Sequence, residues 1–362
     1  FFTQKTAYEI SACLVGSEMC IRDRFFTMSV GLLERYIQVD RNHVVNSLSH
    51  CYTHNTDCRC LPGDDGSSAA LTMNIAGVVC IPWTTMGKKD GWLGDDFLSS
   101  FQFILELLAQ VYDGSIIECI HRIDIDNLAA CLKGKYTLGS ISFSPTDIGD
   151  AASRMRSYTV ALNTSCRKWK HGHAFTKQNF LRFFAKRRLL DSHHHFRAPA
   201  NSVDRVRDGL RIRRKLPKLD GFGKRWSFRY IIPPSWRKHL EAAEKKKARR
   251  FAVDPNSANF TCQLTQAGER CQVRMQYMPA LLCQSHVWGG PPPHKRPLLA
   301  AEHLEVQGLP IYVPDAHPYR CPWQALLPCL QQHQIRALAG NAMHVHAIGA
   351  VIAYVLAFTE SA

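Results

Sequence analysis

"NIAGVVCIPWTTMG", residues 74–87, is an apolar run that stops abruptly on a cysteine. Ile75–Val79 reads as a short buried strand, and Pro82 and Gly87 forbid its continuation. Cys80 therefore falls at the carboxyl end of a strand and faces a loop, the place where open α/β sheets put their chemistry. On this stretch alone a core cysteine is the simpler reading, because free cysteines are among the most buried residues. The rest of the chain has to decide.

Downstream, Phe97–Tyr112 has helical apolar spacing and leads into "GSIIECI", 114–120, a second apolar strand with a lone carboxylate, Glu118. The segment "FSPTDIGDAASRMRSYTVALN", 143–163, carries Arg154 and Arg156 just ahead of a further strand. A spacing of two in extended chain predicts that both guanidinium groups point the same way. Far beyond lie "RPLLAAEHLEVQGLPIY", 296–312, and "LAGNAMHVHAIGAVIAYVLAF", 338–358.

A chain of 362 residues at 46% hydrophobic can bury a core and has a prior of two or three domains. Its 14 cysteines follow no short framework, and with no secretory signal they suggest free thiols in a reducing compartment. The longest apolar run, Ala347–Phe358, is too short to cross a bilayer and fits a buried helix, so no membrane partner is expected. The sequence shows no solenoid repeat.

Phe1–Arg24, "FFTQKTAYEISACLVGSEMCIRDR", resembles a sequencing adapter translated in frame and is expected to be foreign to the protein. The genomic sequence upstream of Phe25 should therefore not encode Phe1–Arg24. A contiguous genomic reading frame through both would overturn this.

The net charge of +15 is concentrated in one block. Cys166–Arg250 holds 26 Lys and Arg against 6 Asp and Glu, a local +20, so the remainder is net acidic. Trp169, Phe183, Phe184, Trp226, Phe228, Tyr230 and Trp236 are interleaved with the basic residues. Basic groups neutralise phosphates and aromatics can stack on bases, so the block predicts nucleic-acid contact. A solvated linker is the competing reading, and for Glu244–Arg250 taken alone it is the preferred one. The chain thus divides into 25–161, a basic and irregular 162–295 closed by "GGPPP" at 289–293, and a helical 296–362.

This order of segments resembles the cytosine-5 DNA methyltransferase family. Cys80-Ile81-Pro82 resembles the family's Pro-Cys-Gln loop, Glu118-Cys119-Ile120 its Glu-Asn-Val, and Ala152-Ser153-Arg154-Met155-Arg156 its Gln-x-Arg-x-Arg. Glu302 with Gly308-Leu309-Pro310 resembles its Arg-Glu…Gly-Phe-Pro segment, and Gly340-Asn341-Ala342-Met343 its Gly-Asn-Ser-Val. The resemblance covers roughly 30–161 and 296–358. It implies an α/β fold: a Rossmann-like S-adenosylmethionine-dependent methyltransferase domain, 25–161, with an inserted basic target-recognition domain, 162–295. The C-terminal part, 296–362, would return to the catalytic domain.

The resemblance assigns roles. Cys80 would add as a thiolate to carbon 6 of cytosine, making carbon 5 nucleophilic. Glu118 would share a proton with N3, and Arg156 or Arg154 would hold O2 against developing negative charge. The target base would be flipped out of the duplex. The cofactor would be S-adenosylmethionine, contacted by Asp40, Asp64, Pro82 and Asn341. The family's opening Phe-x-Gly-x-Gly loop is not found; by spacing it belongs just before "YIQVDRN", 36–42.

Several neighbours depart from the pattern: Gln38 stands for Glu, Val79 for Pro, Ile81 for Gln, Cys119 for Asn and Ala152 for Gln. A divergent or a decaying enzyme would both show this. Glu118 as a surface ion pair and the arginines as phosphate contacts also stay open. The partner expected is duplex DNA, with tRNA as the alternative substrate and a catalytically dead nucleic-acid-binding protein as the rival of another class. The expected location is the nucleus in a eukaryote, otherwise the cytoplasm, and not outside the cell. No metal is expected. "HCYTHNTDCRC", 50–60, and the set Cys262, Cys271, Cys283 and His286 lack the tight paired spacings of zinc sites, apart from Cys283-x-x-His286. His193–His195 read as loop residues.

Overall fold

The computed structural model describes residues 48–51, 56–59, 71–77, 112–121, 125–132, 134–186, 191–219, 225–251, 260–266, 273–274, 276–291, 294–313, 321 and 323–362. Cys80, Pro82, Asp40, Asp64, Cys271, the adapter-like segment, and the predicted helix over 97–112 up to residue 111 lie outside these.

The chain is mixed α/β with a central sheet. In chain order the first elements are β1 Leu48–Cys51, β2 Thr56–Arg59, β3 Met73–Gly77, β4 Gly114–Cys119, α1 Ile125–Leu132, β5 Tyr136–Phe143, β6 Arg156–Asn163 and β7 Arg167–Trp169. Then follow α2 Lys177–Phe184, α3 Ala200–Arg213, α4 Phe228–Ile231, α5 Pro234–Phe251, β8 Thr261–Gln263, β9 Val273–Arg274, β10 Val287–Gly289 and β11 Arg296–Pro297. The last are α6 Ala300–Val306, α7 Trp323–Leu326, α8 Gln332–Asn341, α9 Val345–Phe358 and β12 Thr359–Ser361. Contacts divide the chain into two compact units. The first is Phe1–Ser140 with Ser157–Ala174 and Thr359–Ala362; the second is Ile141–Arg156 with Phe175–Phe358.

Among the described residues the central sheet has four strands, in the order β3-β4-β6-β5. β3 runs parallel to β4, which runs antiparallel to β6. Parallel neighbours need a crossover, and the sequence supplies 36 residues between Gly77 and Gly114 for it. β4 is buried at all six positions, as a continuous apolar run predicts for a central strand. Helix α1 covers the first unit's part of the sheet, with Leu128 and Leu132 against Ile117, Tyr136 and Ala161. β3 departs from the fully buried strand expected over Ile75–Val79. Among the described residues it is the terminal strand of this sheet, and Ile75 is 40% exposed. β12 pairs with β7 in the same unit.

The second unit holds a sheet of order β11-β10-β8-β9, whose pairs are antiparallel. Phe228, Ile231, Leu240, Phe260, Cys262 and Trp288 form its core. A second cluster joins α6 to α8 through Leu304, Ile335 and Ala339. Gln332–Phe358 has the length and apolarity of a membrane span. It is nonetheless broken at Ala342–His344 into helices of 10 and 14 residues. At ~1.5 Å per residue these reach about 15 and 21 Å, short of a ~30 Å hydrocarbon core. Tyr354 of α9 is fully buried and its ring centroid lies 5.7 Å from Phe175 and 6.0 Å from Phe180.

Candidate active site

Glu118 is the fifth residue of β4 and 6% exposed. It stands opposite Gly77 across the parallel pair and opposite Tyr158 across the antiparallel pair. The carboxyl ends of β3 and β4 therefore share one edge of the sheet, with the carboxylate on it. The two lone strand signals read from sequence, one ending near a cysteine and one carrying a glutamate, are adjacent strands. Cys80 follows the last residue of β3 by three positions.

Arg154 and Arg156 are not equivalent. The segment before β6 is pinned in place: Ser153 N donates to Met278 O at 2.9 Å, and Met278 N to Ala151 O at 2.7 Å. Ser144 Oγ accepts from Arg154 N at 3.1 Å and donates to Ala152 O at 3.3 Å. Arg154 is 5% exposed, and its Nη1 donates to Gly340 O at 3.2 Å and Leu281 O at 3.5 Å. Arg156 opens β6, is half-buried, and donates from Nη1 to Met155 O at 2.9 Å. Their partners and burial differ, and the regular strand begins only at Arg156. Arg156 lies two residues before Tyr158, and alternate residues of a strand share a face.

Gly340 and Asn341 belong to the same assembly as Arg154. A Cβ on Gly340 would fall 2.3 Å from Cys283 N, so only glycine lets α8 approach this loop. Cys283 Sγ donates to Asn341 Oδ1 at 2.9 Å, fixing the amide. Thus the structure joins Arg154 to the Gly-Asn pair read from sequence. The motif residue Glu302 is a structural brace. It is fully buried, and accepts from Arg296 Nη2 at 2.6 Å and Nη1 at 2.7 Å, from Leu299 N at 2.8 Å and from Ala198 N at 2.8 Å.

The basic block needs correction in its aromatics. Phe228 is 3% exposed within a core, against which Trp226 and Trp236 pack. Trp226 Nε1 donates to Pro217 O at 2.9 Å, and Trp236 lies 4.1 Å from the His286 ring. Phe184 stacks on buried Phe180 at 5.0 Å. A small irregular region needs its large side chains for its own core, which removes them from base stacking; Tyr230 at 58% and Phe183 at 50% stay exposed. Part of the charge is also spent internally: Arg207 and Arg225 on Asp204, Arg211 on Asp208, Arg229 on Glu244. Arg205, Arg213, Lys215, Lys218 and Lys238 remain exposed.

Two histidine readings also change. Ser192–His195 is a 3-10 turn capped by Asp191, and His195 is buried rather than a loop residue. Asp150, His344 and His346 come together, which spacing could not show across 196 residues. The one local signal was His-x-His at 344–346.

Solved structures similar in fold include the Dnmt2 methyltransferase of S. pombe, at 11% identity and a TM-score of 0.41, covering 79% of this chain and 78% of the other. The methyltransferase EhMeth of Entamoeba histolytica matches at 13% and 0.46, covering 79% and 77%. A triple mutant of Spodoptera frugiperda DNMT2 matches at 15% and 0.39, covering 79% of each chain. No protein-family model and no curated protein matches the chain.

Proposed function

We propose that the protein transfers a methyl group to carbon 5 of cytosine in nucleic acid, with duplex DNA as substrate and S-adenosylmethionine as cofactor, on a Rossmann-like domain. The observation that carries the reading is Glu118 at the carboxyl end of a parallel strand pair whose other strand leads into Cys80.

The residues act as follows. The Cys80 thiolate forms a bond to carbon 6 of the flipped ring, and the displaced electron pair makes carbon 5 nucleophilic. Glu118 gives its proton to N3 as that pair moves. Arg156 holds O2, where negative charge develops; Arg154, committed to the Gly340 and Leu281 carbonyls, positions the segment that carries it. Loss of the carbon 5 proton then lets the Cys80 sulfur leave. S-adenosylmethionine supplies an electrophilic methyl group when bound. Asp40, Asp64, Pro82 and Asn341 are the residues that would hold it, and the amide of Asn341, fixed by Cys283, suits a hydrogen-bonding cofactor.

Residues 162–295 serve as the target-recognition region, gripping phosphates through the exposed cations. Binding of the full chain to duplex DNA should weaken log-linearly with salt, with a slope near −0.9 per phosphate neutralised. Replacing Arg213 and Lys218 by alanine should make that slope shallower by about two. Binding indifferent to salt would remove this role. Methyl transfer assayed side by side on duplex DNA and tRNA tests the substrate: transfer to tRNA alone overturns the DNA assignment, and transfer to neither, with binding retained, favours a dead enzyme.

A further inference from the structure

Asp150, His344 and His346 offer three ligand atoms that all lie within 4.8 Å of one another. All belong to the second unit. Gly149, with φ 92°, ends the 3-10 turn Pro145–Ile148 and turns the chain so that Asp150 is buried. Asp150 Oδ1 accepts from Ala151 N at 2.6 Å and Ala152 N at 3.3 Å. Its Oδ2 lies 2.8 Å from His346 Nδ1 and 3.6 Å from His344 Nε2. A third imidazole, His195, brings Nε2 to 4.0 Å from Oδ1.

Two of these imidazoles are incompletely satisfied. His344 is 1% exposed, and its Nε2 has no hydrogen-bond partner. His195 Nε2 is buried and without one as well. Buried polar atoms in native proteins are almost always paired, so two orphaned imidazole nitrogens around one carboxylate call for an occupant.

We propose that Asp150, His344 and His346 bind a zinc ion, with His195 beside the site. The donor set, two imidazoles and one carboxylate, suits zinc held by three protein ligands. Tetrahedral ligands at ~2.0–2.1 Å from zinc sit about 3.3 Å apart, between the 2.8 and 3.6 Å seen around Oδ2. Ligation through His344 Nε2 moves the ring proton to Nδ1 and gives up the long 3.4 Å contact from Ala347 N. The His346 side chain is 57% exposed and provides the entry path.

The electrostatics agree with this geometry. Burial lowers His344 and His195 to about 4. Burial opposes ionisation of Asp150, but the His346 hydrogen bond and neighbouring imidazoles outweigh it and hold the carboxyl at about 2. Among the cations that bear on the site, Arg154 is engaged on backbone carbonyls and Arg197 on Glu305 at 3.6 Å, while Lys186 acts on His346. The ion would staple the turn before Arg154 to the start of α9, so its binding energy would become folding energy. This inference is independent of the methyl-transfer reading.

The test is zinc binding by the full chain, stripped with a chelator and titrated with zinc alone. One zinc should be lost on replacing Asp150 by Asn or His344 by Gln. His346→Ala, at an exposed side chain, should fold normally and weaken that zinc by at least the ~10–100-fold that disturbing a metal's supporting shell costs. Zinc should raise the melting temperature of the parent and not of His346→Ala. Cobalt in the same site should give a tetrahedral spectrum without thiolate charge-transfer bands. A parent chain that binds no zinc overturns the proposal. So does a zinc that all three variants retain at parental affinity, or a cobalt spectrum dominated by thiolates, because the ion is then held elsewhere.

Discussion

With S-adenosylmethionine present, the protein is expected to form a denaturant-resistant complex with a duplex containing 5-fluorocytosine, Cys80→Ser to abolish it and Glu118→Gln to slow its formation at least a hundredfold. The fluorine at carbon 5 cannot leave as a proton does, so a ring that has been attacked at carbon 6 and methylated stays attached to the sulfur. A serine hydroxyl in place of the thiol is a far weaker nucleophile. Glu118→Gln keeps the shape and a hydrogen bond but loses the acid, and general acid–base groups contribute ~10²–10⁴-fold. Glu118 is buried opposite Gly77 and Tyr158, so circular dichroism and DNA affinity accompany each variant. Slow trapping with intact fold and affinity identifies the acid. If Cys80→Ser traps as fast as the parent, the covalent mechanism is wrong. If neither parent nor variant traps while both bind DNA, the protein is a binding module.

The strands were the legible part of the fold. An apolar run bounded by Gly and Pro declares a strand locally, and β4 falls within one residue of the segment read as 114–120. That β3 and β4 are parallel neighbours is a tertiary fact, and it places Glu118 beside the strand leading to Cys80. What failed was inference about neighbours. Two arginines at i and i+2 look alike in a string. In the fold, one is buried under Gly340 and Leu281, more than a hundred residues away, and the other opens a strand. Aromatics in a basic stretch look like base stackers, yet Phe228 and Trp236 are claimed by a core whose other half, Phe260 and Trp288, lies further along the chain. The histidine and aspartate at the proposed zinc site show the same limit, since ligand spacing is informative only when the ligands are close in sequence.

Glu302→Ala should cost about 3–5 kcal/mol of stability, the loss typical of removing one partner of a buried ion pair. The carboxylate is fully buried, and both of its oxygens accept two hydrogen bonds each. Its removal leaves the Arg296 guanidinium, 9% exposed, without its counter-ion. It also strands the N–H groups of Leu299 and Ala198, so the segment before α3 and the start of α6 lose their common anchor. Against a total of ~5–15 kcal/mol for a typical domain, this is enough to depopulate the native state near 37 °C. Denaturant melts of the second unit should show an earlier midpoint. Adding Arg296→Met to Glu302→Leu should recover much of the loss, because removing both charges also removes their desolvation cost. The two single losses should then exceed the double, the signature of a coupled pair. A Glu302→Ala midpoint unchanged from the parent would mean that water reaches the guanidinium once the carboxylate is gone.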